Sequence, residues 1–398
     1  MTLSTKTIQT DVCIVGSGPA GMTLANILTD FGISCLVIDQ YSRQQIYDRG
    51  RAGLLDSKTI NILRRFHLDA GLNKEGIRHD HCEFRSPQHS FVLHYGDYCN
   101  GKSHYVYPQN RLVDDLINSY LQKDGQLLFK HEAIDIHSGN NPYVLAKNEN
   151  NEQVTIQCHF IAGCDGYFGA ARSSLPLENF TVIENQYPYS WLSILAQAPP
   201  STDHIIYAVH ERGFAGHMLR NENISRYYLQ ILSSDTIEQW SDKRIWQELQ
   251  IRLAKDGWSL SEGKIIDKAI LGMRSYVLEP MRYFNLFLVG DAAHIITPCG
   301  AKGLNLAIHD AEVLAYTFKQ YFENHNPDIL DEYSSQRLPL IWQAQEFSFS
   351  MLELLHAPIE KNIKNVSFYQ KIKESRISEL ELCNTTAHDF SAKYVGDN

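Results

Sequence analysis

The chain has 398 residues, of which 43% are hydrophobic and 21% are charged, and its formal net charge is −10 at neutral pH. This length is too great for one simple core and predicts two or three interlocked units with the composition of a soluble globular protein. The negative charge argues against nucleic acid and anionic membranes as partners, since either would need a basic face.

Signals for export, membrane insertion and metal binding are weak. The first apolar strand begins almost at once, without a preceding signal peptide, and no apolar run reaches the roughly 18 residues of a membrane span. The eight cysteines include no C-x-x-C pair, so we expect reduced thiols in the cytoplasm. Four neighbouring histidines match no common zinc spacing, and we expect no metal site among them: His79, His81, His89 and His94.

The amino-terminal segment carries a dinucleotide-binding pattern. Residues 11–15 predict a buried strand, and residues 20–31 have helical spacing. The G-x-G-x-x-G between them is typical of a phosphate-binding turn. Gly16 permits the tight turn, Gly18 lets the backbone approach a pyrophosphate, and Gly21 lets the helix pack closely on the strand.

Two further strands end in acidic residues. The apolar run at residues 35–38 leads into Asp39, close to the offset of roughly 20 residues at which an acid binds a ribose hydroxyl. Together with the glycine pattern, it predicts a bound dinucleotide. The run at residues 160–163 leads to Asp165 and Gly166, which alone would indicate an ordinary turn.

The middle of the chain changes from strand–helix alternation to successive strands, with one helix at residues 242–255. Side chains two apart in a strand face the same way, so Met218 and Arg220 share a face, as do Arg226 and Tyr228. Two arginines beside aromatic groups predict a pocket for a planar anion, because a guanidinium binds a carboxylate bidentately. The predicted antiparallel strands are residues 190–197, 204–210, 213–220 and 225–232.

A strand predicted at residues 286–289 leads through Asp291 into a glycine-rich loop and a helix. Asp291 can accept hydrogen bonds from ribityl or ribose hydroxyls. Gly300 and Gly303 leave backbone N–H groups free to face a phosphorylated cofactor. The chain is then predicted to be mainly helical through about residue 373, and residues 391–398 to be an extended tail.

Three of these segments, in this order, resemble the FAD-dependent aromatic hydroxylases, the single-component flavoprotein monooxygenases. They are the G-x-G-x-x-G unit, the Asp165-Gly166 turn and the run at residues 290–307. The resemblance narrows to the 4-hydroxybenzoate 3-monooxygenase family and covers nearly the whole chain. Further matching stretches are residues 49–53, 75–79, 106–109, 206–215, 225–228 and 394–396.

The resemblance implies an α/β fold in three parts. Residues 1–180 would form a Rossmann-like FAD-binding domain, and residues 181–278 an inserted antiparallel sheet that binds substrate. Residues 279–398 would supply the flavin-contacting strand, loop and helix and the C-terminal helices. A cytoplasmic homodimer is expected.

The resemblance also implies FAD as cofactor and NADPH or NADH as electron donor. The reaction would hydroxylate a phenolic benzoate ortho to its hydroxyl group, through a flavin C4a-hydroperoxide formed with O₂. The segment at residues 49–53 would let the flavin alternate between donor and substrate. The implied cofactor-binding residues are Gly16, Gly18, Gly21, Asp39, Arg49, Arg51, Ala52, Gly53, Gln109, Asp165, Asp291, Leu304 and Asn305.

Catalytic roles follow from the same resemblance. Tyr207 would contact the substrate phenol, Tyr394 would be the second hydroxyl of a proton relay, and His79 would link the relay to solvent with a pKa suited to neutral pH. The residues expected around the substrate are Tyr207, Met218, Arg220, Tyr228 and the backbone carbonyl of Pro298.

Two positions depart from the family pattern. Met218 replaces a serine that bonds the substrate carboxylate, and Thr297 replaces a proline. A thioether is a poor acceptor and no donor. We therefore expect 4-hydroxybenzoate as substrate, giving 3,4-dihydroxybenzoate, and keep another aromatic acid such as an aminobenzoate as the alternative.

The electron donor stays open between NADPH and NADH. Gln40 and Gln45 stand where NADPH-specific relatives have an arginine and a tyrosine, while Arg43 is a candidate for binding a 2′-phosphate.

Two other classes compete with a hydroxylase. A halogenase of this superfamily would carry a W-x-W-x-I-P segment, and no two of the five tryptophans stand two residues apart; a plain FAD dehydrogenase is a further alternative on this fold. A catalytically silent dinucleotide-binding regulator is disfavoured because Tyr207, Tyr394 and His79 are all present.

Overall fold

The computed structural model describes residues 6–49, 53–87, 89–358 and 366–396. Gly50, Arg51 and Ala52, which belong to the expected gating segment, lie outside the described residues. The helices are α1 Pro19–Asp30, α2 Arg43–Tyr47, α3 Ser57–Arg65, α4 Ala70–Glu75, α5 Tyr95–Tyr98, α6 Gln109–Gln122, α7 Ala170–Ser173, α8 Asp242–Arg252, α9 Gly303–Asn324, α10 Ile329–Leu355, α11 Val366–Leu382 and α12 Asn384–Val395.

Strands make up four sheets. They are β1 Lys6–Gln9, β2 Val12–Val15, β3 Cys35–Asp39, β4 Leu54–Leu55, β5 Ile77–His79, β6 Cys82–Ser86, β7 His89–Leu93, β8 His104–Val106, β9 Gln126–Phe129, β10 His131–His137, β11 Tyr143–Asn148, β12 Gln153–Gln157, β13 Phe160–Gly163, β14 Thr181–Gln197, β15 Ile205–Ala208, β16 Ala215–Asn221, β17 Ile224–Leu232, β18 Lys264–Glu279, β19 Arg282–Tyr283, β20 Leu286–Leu288 and β21 His294–Ile295.

The predicted Rossmann-like unit is confirmed as a six-stranded sheet in the order β19-β20-β13-β2-β3-β9. Strands β20, β13, β2, β3 and β9 pair in parallel, and all four residues of β2 are buried. Such continuous burial is typical of parallel strands covered on both faces. Gly16, Asp39, Asp165 and Asp291 lie at or just beyond the carboxyl ends of adjacent strands, the edge at which α/β sheets bind ligands.

The inserted sheet has eight strands in the order β21-β18-β14-β17-β16-β15-β6-β7. It is antiparallel except where β6 pairs in parallel with β15. Its predicted strands correspond to β14–β17, but β14 extends over 17 residues. Strand β18 pairs with it so that Thr181 lies opposite Glu279. The sheet also takes β6 and β7 from the first third of the chain, whose addition the sequence pattern did not predict.

The C-terminal part is helical, as predicted, but the expectation of an extended tail is wrong. Residues 384–395 form α12, which ends at Gly396 in the left-handed conformation with φ 74°. Ala387, Ser391, Tyr394 and Val395 are buried, a helical spacing that places one face of α12 in the apolar core. Within the described residues, no helix combines the length and apolar character that a membrane crossing requires.

Candidate active site

The glycine turn between β2 and α1 has the geometry that a pyrophosphate needs. Gly16 has φ 103°, and a Cβ there would lie 2.5 Å from the carbonyl oxygen of Cys164; a Cβ on Gly21 would lie 2.0 Å from the oxygen of Gly16. Gly18 differs, because a Cβ there meets nothing within 4 Å. It is the N-cap of α1 and makes no side-chain capping bond. The space beside Gly18 at the start of α1 is therefore open, and a helix start with open space beside it fits an anionic group.

Asp39 is fixed beside this turn. Its Oδ2 accepts hydrogen bonds from the Ser17 backbone N–H and hydroxyl at 2.8 and 2.7 Å, and its Oδ1 accepts one from the Tyr41 N–H at 2.9 Å. A carboxylate offers about four acceptor sites. A ribose hydroxyl can therefore still donate to Asp39 without breaking these bonds.

Asp165 has an unused oxygen at the same edge of the sheet. Burial raises its pKa to about 6, although backbone N–H bonds act in the opposite direction. Its Oδ2 accepts a bond from the Ala171 N–H at 2.9 Å. Its Oδ1 is buried without a hydrogen-bond partner among the described residues. Since buried polar atoms are normally satisfied, this atom fits a position facing a polar cofactor group.

The loop after β20 is held by a buried charged cluster that sequence reasoning missed. Gly290, with φ 62°, donates its N–H to Asp310 Oδ2 at 3.0 Å. The same carboxylate bonds His294 Nε2 and Arg337 Nε, each at 2.6 Å. This cluster fixes the turn that contains Asp291. Asp310 and Arg337 lie far from Gly290 in sequence, so only the fold reveals the cluster.

Asn305 fixes the start of α9 to the loop before α3 through its side chain. Its Oδ1 accepts from the Asp56 N–H at 2.9 Å, and its Nδ2 donates to the carbonyl oxygens of Leu54 and Ala301 at 3.0 and 2.9 Å. A flavin contact from Asn305 is therefore expected through its backbone, in the first turn of α9. Leu304 is half-buried in the same turn.

Gly53 and Gln109 are brought together. A Cβ on Gly53 would lie 1.8 Å from the Tyr107 oxygen and 2.8 Å from the Gln109 nitrogen. This contact joins the end of the expected gating segment to the start of α6. Arg49, the first residue of that segment, places its guanidinium 3.5 Å from the centre of the Tyr41 ring.

Tyr207, Gly216 and Tyr228 form a row across three strands of the inserted sheet. Tyr207 is paired with Gly216, and Gly216 with Tyr228, so the two tyrosines flank a position without a side chain. The ring of Phe214 lines this position, 2.9 Å from where a Cβ on Gly216 would stand. The ring centres of Trp191 and Tyr228 are 4.9 Å apart. The row forms an aromatic slot.

The cationic wall of this slot contains both predicted arginines. Met218 is paired with Arg226, and both are buried. Burial, followed by the charge of Arg226, lowers the pKa of Arg220 to about 10, while Tyr228 raises it. The Nε of Arg226 has no hydrogen-bond partner among the described residues. Two partly desolvated cations on one wall favour an anion there.

The structure brings Tyr207 and Tyr394 into contact. Their hydroxyl oxygens are 2.8 Å apart in a buried contact between β15 and α12. Burial raises the pKa of both phenols above the ordinary value. Lys302 donates to the Tyr394 carbonyl at 2.7 Å, which fixes the end of α12 against the glycine-rich loop.

His79 differs from its expectation both in solvent exposure and in pKa. It is 1% exposed, and burial lowers its pKa to about 4, so the prediction of an imidazole titrating near neutral pH is wrong. The described residues contain no hydrogen bond from its side chain to Tyr394, and its Nε2 is buried without a partner. Its backbone carbonyl accepts from the Tyr95 hydroxyl at 2.8 Å.

Pro298 begins a short 3₁₀ turn, Pro298–Gly300. The Pro298 carbonyl accepts a hydrogen bond from the Ala301 N–H at 3.0 Å. The adjacent Cys299 belongs to the buried cluster that also contains Tyr207, Met218, Tyr228 and Tyr394. The fold thus brings the glycine-rich loop to the aromatic slot.

Comparison with known proteins agrees with this geometry. The family described as FAD binding domain matches residues 9–348. The p-hydroxybenzoate hydroxylase of Acinetobacter baylyi is 36% identical over 392 residues, which cover 98% of this chain and 96% of that protein. The chain belongs to the p-hydroxybenzoate hydroxylase family. It is a flavoprotein aromatic hydroxylase that uses FAD.

More distant hydroxylases share the fold. The probable NADH-specific resorcinol 4-hydroxylase of Rhodococcus jostii is 23% identical over 351 residues, 83% of this chain and 62% of that protein. The crystal structure of p-nitrophenol 4-monooxygenase from Pseudomonas putida aligns with a TM-score of 0.80 at 16% identity, covering 99% of this chain and all of that one.

Sequence reasoning missed part of the surroundings of Tyr394 in this hydroxylase. The rings of His104 and Tyr95 lie 4.6 and 5.1 Å from the Tyr394 ring. Burial lowers the pKa of His104 to about 3, and His104 pairs with His79 across β5 and β8. Neither ring stands in a recognisable pattern. Lys302 could have been noticed in the sequence, since it is the charged residue between Gly300 and Gly303 of the glycine-rich loop.

Proposed function

We propose that this hydroxylase converts 4-hydroxybenzoate into 3,4-dihydroxybenzoate. The row of Tyr207, Gly216 and Tyr228 carries the proposal, with a hydroxyl pair at one end and arginines at the other. Neighbouring strands are spaced by about 4.8 Å, so the two tyrosines are separated by roughly 10 Å over Gly216. The Phe214 ring covers Gly216 between them, so a planar substrate ring would lie against this aromatic row, with its hydroxyl group toward Tyr207 and its carboxylate toward the arginines.

FAD fits the edge of the parallel sheet. The open start of α1 at Gly18 would hold the pyrophosphate, Asp39 a ribose hydroxyl, and Asp291 with the first turn of α9 the riboflavin half. FAD held there would supply the redox chemistry of the reaction, as acceptor of a hydride from the nicotinamide donor and activator of O₂.

The protein's own chemical task is to move the phenol proton. Tyr207 lies at the phenol end of the slot, and its hydroxyl is 2.8 Å from that of Tyr394. Because burial raises both phenol pKa values, both hydroxyls stay protonated at neutral pH. Each can then accept one proton while donating another. Loss of the proton makes the ring carbon ortho to the phenol oxygen more nucleophilic.

His79 is proposed as the next acceptor beyond Tyr394. Burial lowers its pKa to about 4, so its imidazole is neutral and has an acceptor nitrogen at working pH. The buried Nε2 without a partner supplies that acceptor. The proposed role is passage of a proton, without lasting charge on the ring.

Arg220, Arg226 and Tyr228 would hold the substrate carboxylate. Removing one partner of a desolvated charge pair costs on the order of 2–5 kcal/mol. Arg220→Leu should therefore weaken binding of 4-hydroxybenzoate far more than binding of its uncharged analogue 4-hydroxybenzamide. Equal losses for the two ligands would place the carboxylate elsewhere.

The experiment that tests the reaction itself is a panel of benzoates scored for hydroxylated product per NAD(P)H consumed. Product measurement is needed because uncoupled peroxide release also consumes the donor. Coupled formation of 3,4-dihydroxybenzoate from 4-hydroxybenzoate is expected. Met218 supports one alternative, another aromatic acid such as an aminobenzoate, because a buried thioether replaces a hydrogen-bonding group on the carboxylate wall. Coupling only with such an acid would select it.

We infer that NADH is a better donor than NADPH. Arg43, the candidate for a 2′-phosphate, already donates to Asp114 Oδ1 through Nε and Nη2 at 2.9 and 2.6 Å. A phosphate would have to displace this carboxylate. The name of the 23%-identical resorcinol hydroxylase, which includes NADH specificity, points the same way. A ratio of kcat/KM values favouring NADPH would contradict the inference.

A further inference from the structure

Two histidines and one aspartate meet where β6 and β15 begin. His81 precedes β6, and Asp203 and His204 precede β15; these strands pair in parallel. One ligand atom from each of the three residues lies within 4.8 Å of the other two. The Asp203 Oδ1 is 2.8 Å from His204 Nδ1 and 3.9 Å from His81 Nε2. The side chain of Asp203 is 85% exposed, so the cluster opens to solvent.

Each histidine also has a second carboxylate on its far side. His81 Nδ1 is 2.8 Å from Asp80 Oδ1, and His204 Nε2 is 3.1 Å from the buried Glu83 Oε2. A ring nitrogen that donates to a carboxylate leaves the other nitrogen with a lone pair. Both rings can therefore direct a lone pair toward Asp203. Metal-binding histidines are oriented in this way by outer carboxylates.

The outer carboxylate behind His204, Glu83, is itself fixed. Glu83 accepts from Arg85 Nη2 at 2.7 Å and from Lys255 at 2.8 Å, which holds it in place behind His204. In front of His204, the Thr202 hydroxyl lies 2.9 Å from Nδ1. It sits on an exposed turn with Asp203 and can rotate away from an incoming ligand.

We propose that His81, Asp203 and His204 bind a divalent transition-metal ion of the zinc class. Two imidazole nitrogens and one carboxylate oxygen are ligands that Zn²⁺ takes at about 2.0–2.2 Å, and the open side leaves a place for water. This site departs from the expectation drawn from local histidine spacing. That expectation could not include Asp203 and His204, which reach His81 only through the parallel pairing of β6 with β15.

A bound ion would tie together two segments next to the active site. His81 follows β5, which carries His79, and His204 precedes β15, which carries Tyr207. The ion would cross-link these segments at the protein surface and stabilise the folded chain by mass action. The inference does not depend on the identity of the aromatic substrate.

The test is a Zn²⁺ titration of the full-length, FAD-loaded, tag-free protein after treatment with a chelator, followed by calorimetry. The wild-type protein should bind one Zn²⁺ per chain in its class of tightest binding sites. Asp203→Asn should lose that class, and Asp80→Asn should weaken it by roughly 10–100-fold. X-ray absorption should find two histidine nitrogens near the ion, with oxygen from Asp203 and from water completing its coordination.

The matched control is His159→Asn. His159 is an exposed histidine whose Nδ1 lies 3.3 Å from Asp11, so it shares the histidine–carboxylate pairing without a second histidine; this variant should bind Zn²⁺ like wild type. Asp203 is exposed, and retained flavin absorbance would show that its variant is folded. The proposal is overturned if wild type has no one-equivalent class or if Asp203→Asn binds Zn²⁺ as tightly as wild type.

Discussion

At the residue scale, the proposed proton path runs through the contact between Tyr207 and Tyr394. Tyr207→Phe removes one of two hydroxyls 2.8 Å apart and leaves the phenol without its first proton acceptor. We expect flavin reduction to continue, while product per NAD(P)H falls by about 10²-fold or more and H₂O₂ rises, since general acid–base groups typically contribute 10²–10⁴-fold. Product and peroxide are measured together.

The control for this change is Tyr227→Phe. Tyr227 is a neighbour of Tyr228 in β17, but its hydroxyl donates to the Ser261 carbonyl at 3.0 Å, away from the slot. Its variant should keep the wild-type coupling. An unchanged coupling ratio in Tyr207→Phe would remove Tyr207 from the proton path.

Met218 gives a second prediction for a single side chain. If the carboxylate lies beside Arg220 and Tyr228, Met218→Ser adds a donor to a charged group, worth about 1.5–3 kcal/mol. Binding of 4-hydroxybenzoate should then tighten roughly 10-fold or more, as measured by flavin fluorescence. Binding of phenol, which lacks the carboxylate, should not tighten. A weaker affinity for 4-hydroxybenzoate in the serine variant would favour a different aromatic acid.

At the scale of elements, the start of α1 gives a specific prediction about FAD binding. Gly18 has φ −72° and ψ −173°, which any residue adopts, and its Cβ position is open. Gly18→Asp should therefore leave the fold intact and abolish FAD binding, because a carboxylate would stand at the pyrophosphate position. Flavin absorbance and circular dichroism separate the two effects.

Gly272→Asp is the matched control, since Gly272 is exposed and its Cβ position is also open. This variant should keep FAD. Retained flavin in folded Gly18→Asp would show that the pyrophosphate lies elsewhere.

Elements set by local residue chemistry were predictable, and elements set by distant partners were not. The glycine pattern predicted β2 and α1 nearly to the residue, because Gly16 and Gly21 each stand where a Cβ would clash with the backbone of that turn. The parallel pairing of Cys82 with Ile205 joins distant residues, and no local period encodes it. The lowered pKa of His79 could not be predicted for the same reason, since it depends on burial in the folded chain. Helix α12 did carry a signal, the helical spacing of Ala387, Ser391 and Tyr394, which was overlooked.

At the scale of the whole molecule, α12 completes a site that the rest of the chain builds. Its buried face contacts the same apolar cluster as Tyr207 and Met218, whereas the glycine turn of α1 lies in the parallel-sheet unit. Removing residues 384–398 should lower the melting temperature and end coupled hydroxylation, while FAD still binds. Bound flavin and product are measured on the same preparation.

Tyr394→Phe in the full chain is the companion variant. It removes one hydroxyl and keeps the helix, so it should uncouple the reaction with little loss of thermal stability. Coupled hydroxylation by the shortened chain would exclude Tyr394 from the proton path.

The pairing of Thr181 with Glu279 has a consequence for how such enzymes diversify. The chain leaves and re-enters the FAD-binding part at neighbouring points, the geometry in which an inserted module is tolerated. Recombination between related genes could exchange the intervening segment, and with it the substrate, without rerouting the cofactor-binding part. One constraint limits such exchange: the donor segment must bring a strand that accepts β6 in parallel. New specificities should therefore spread most readily among genes that share this register.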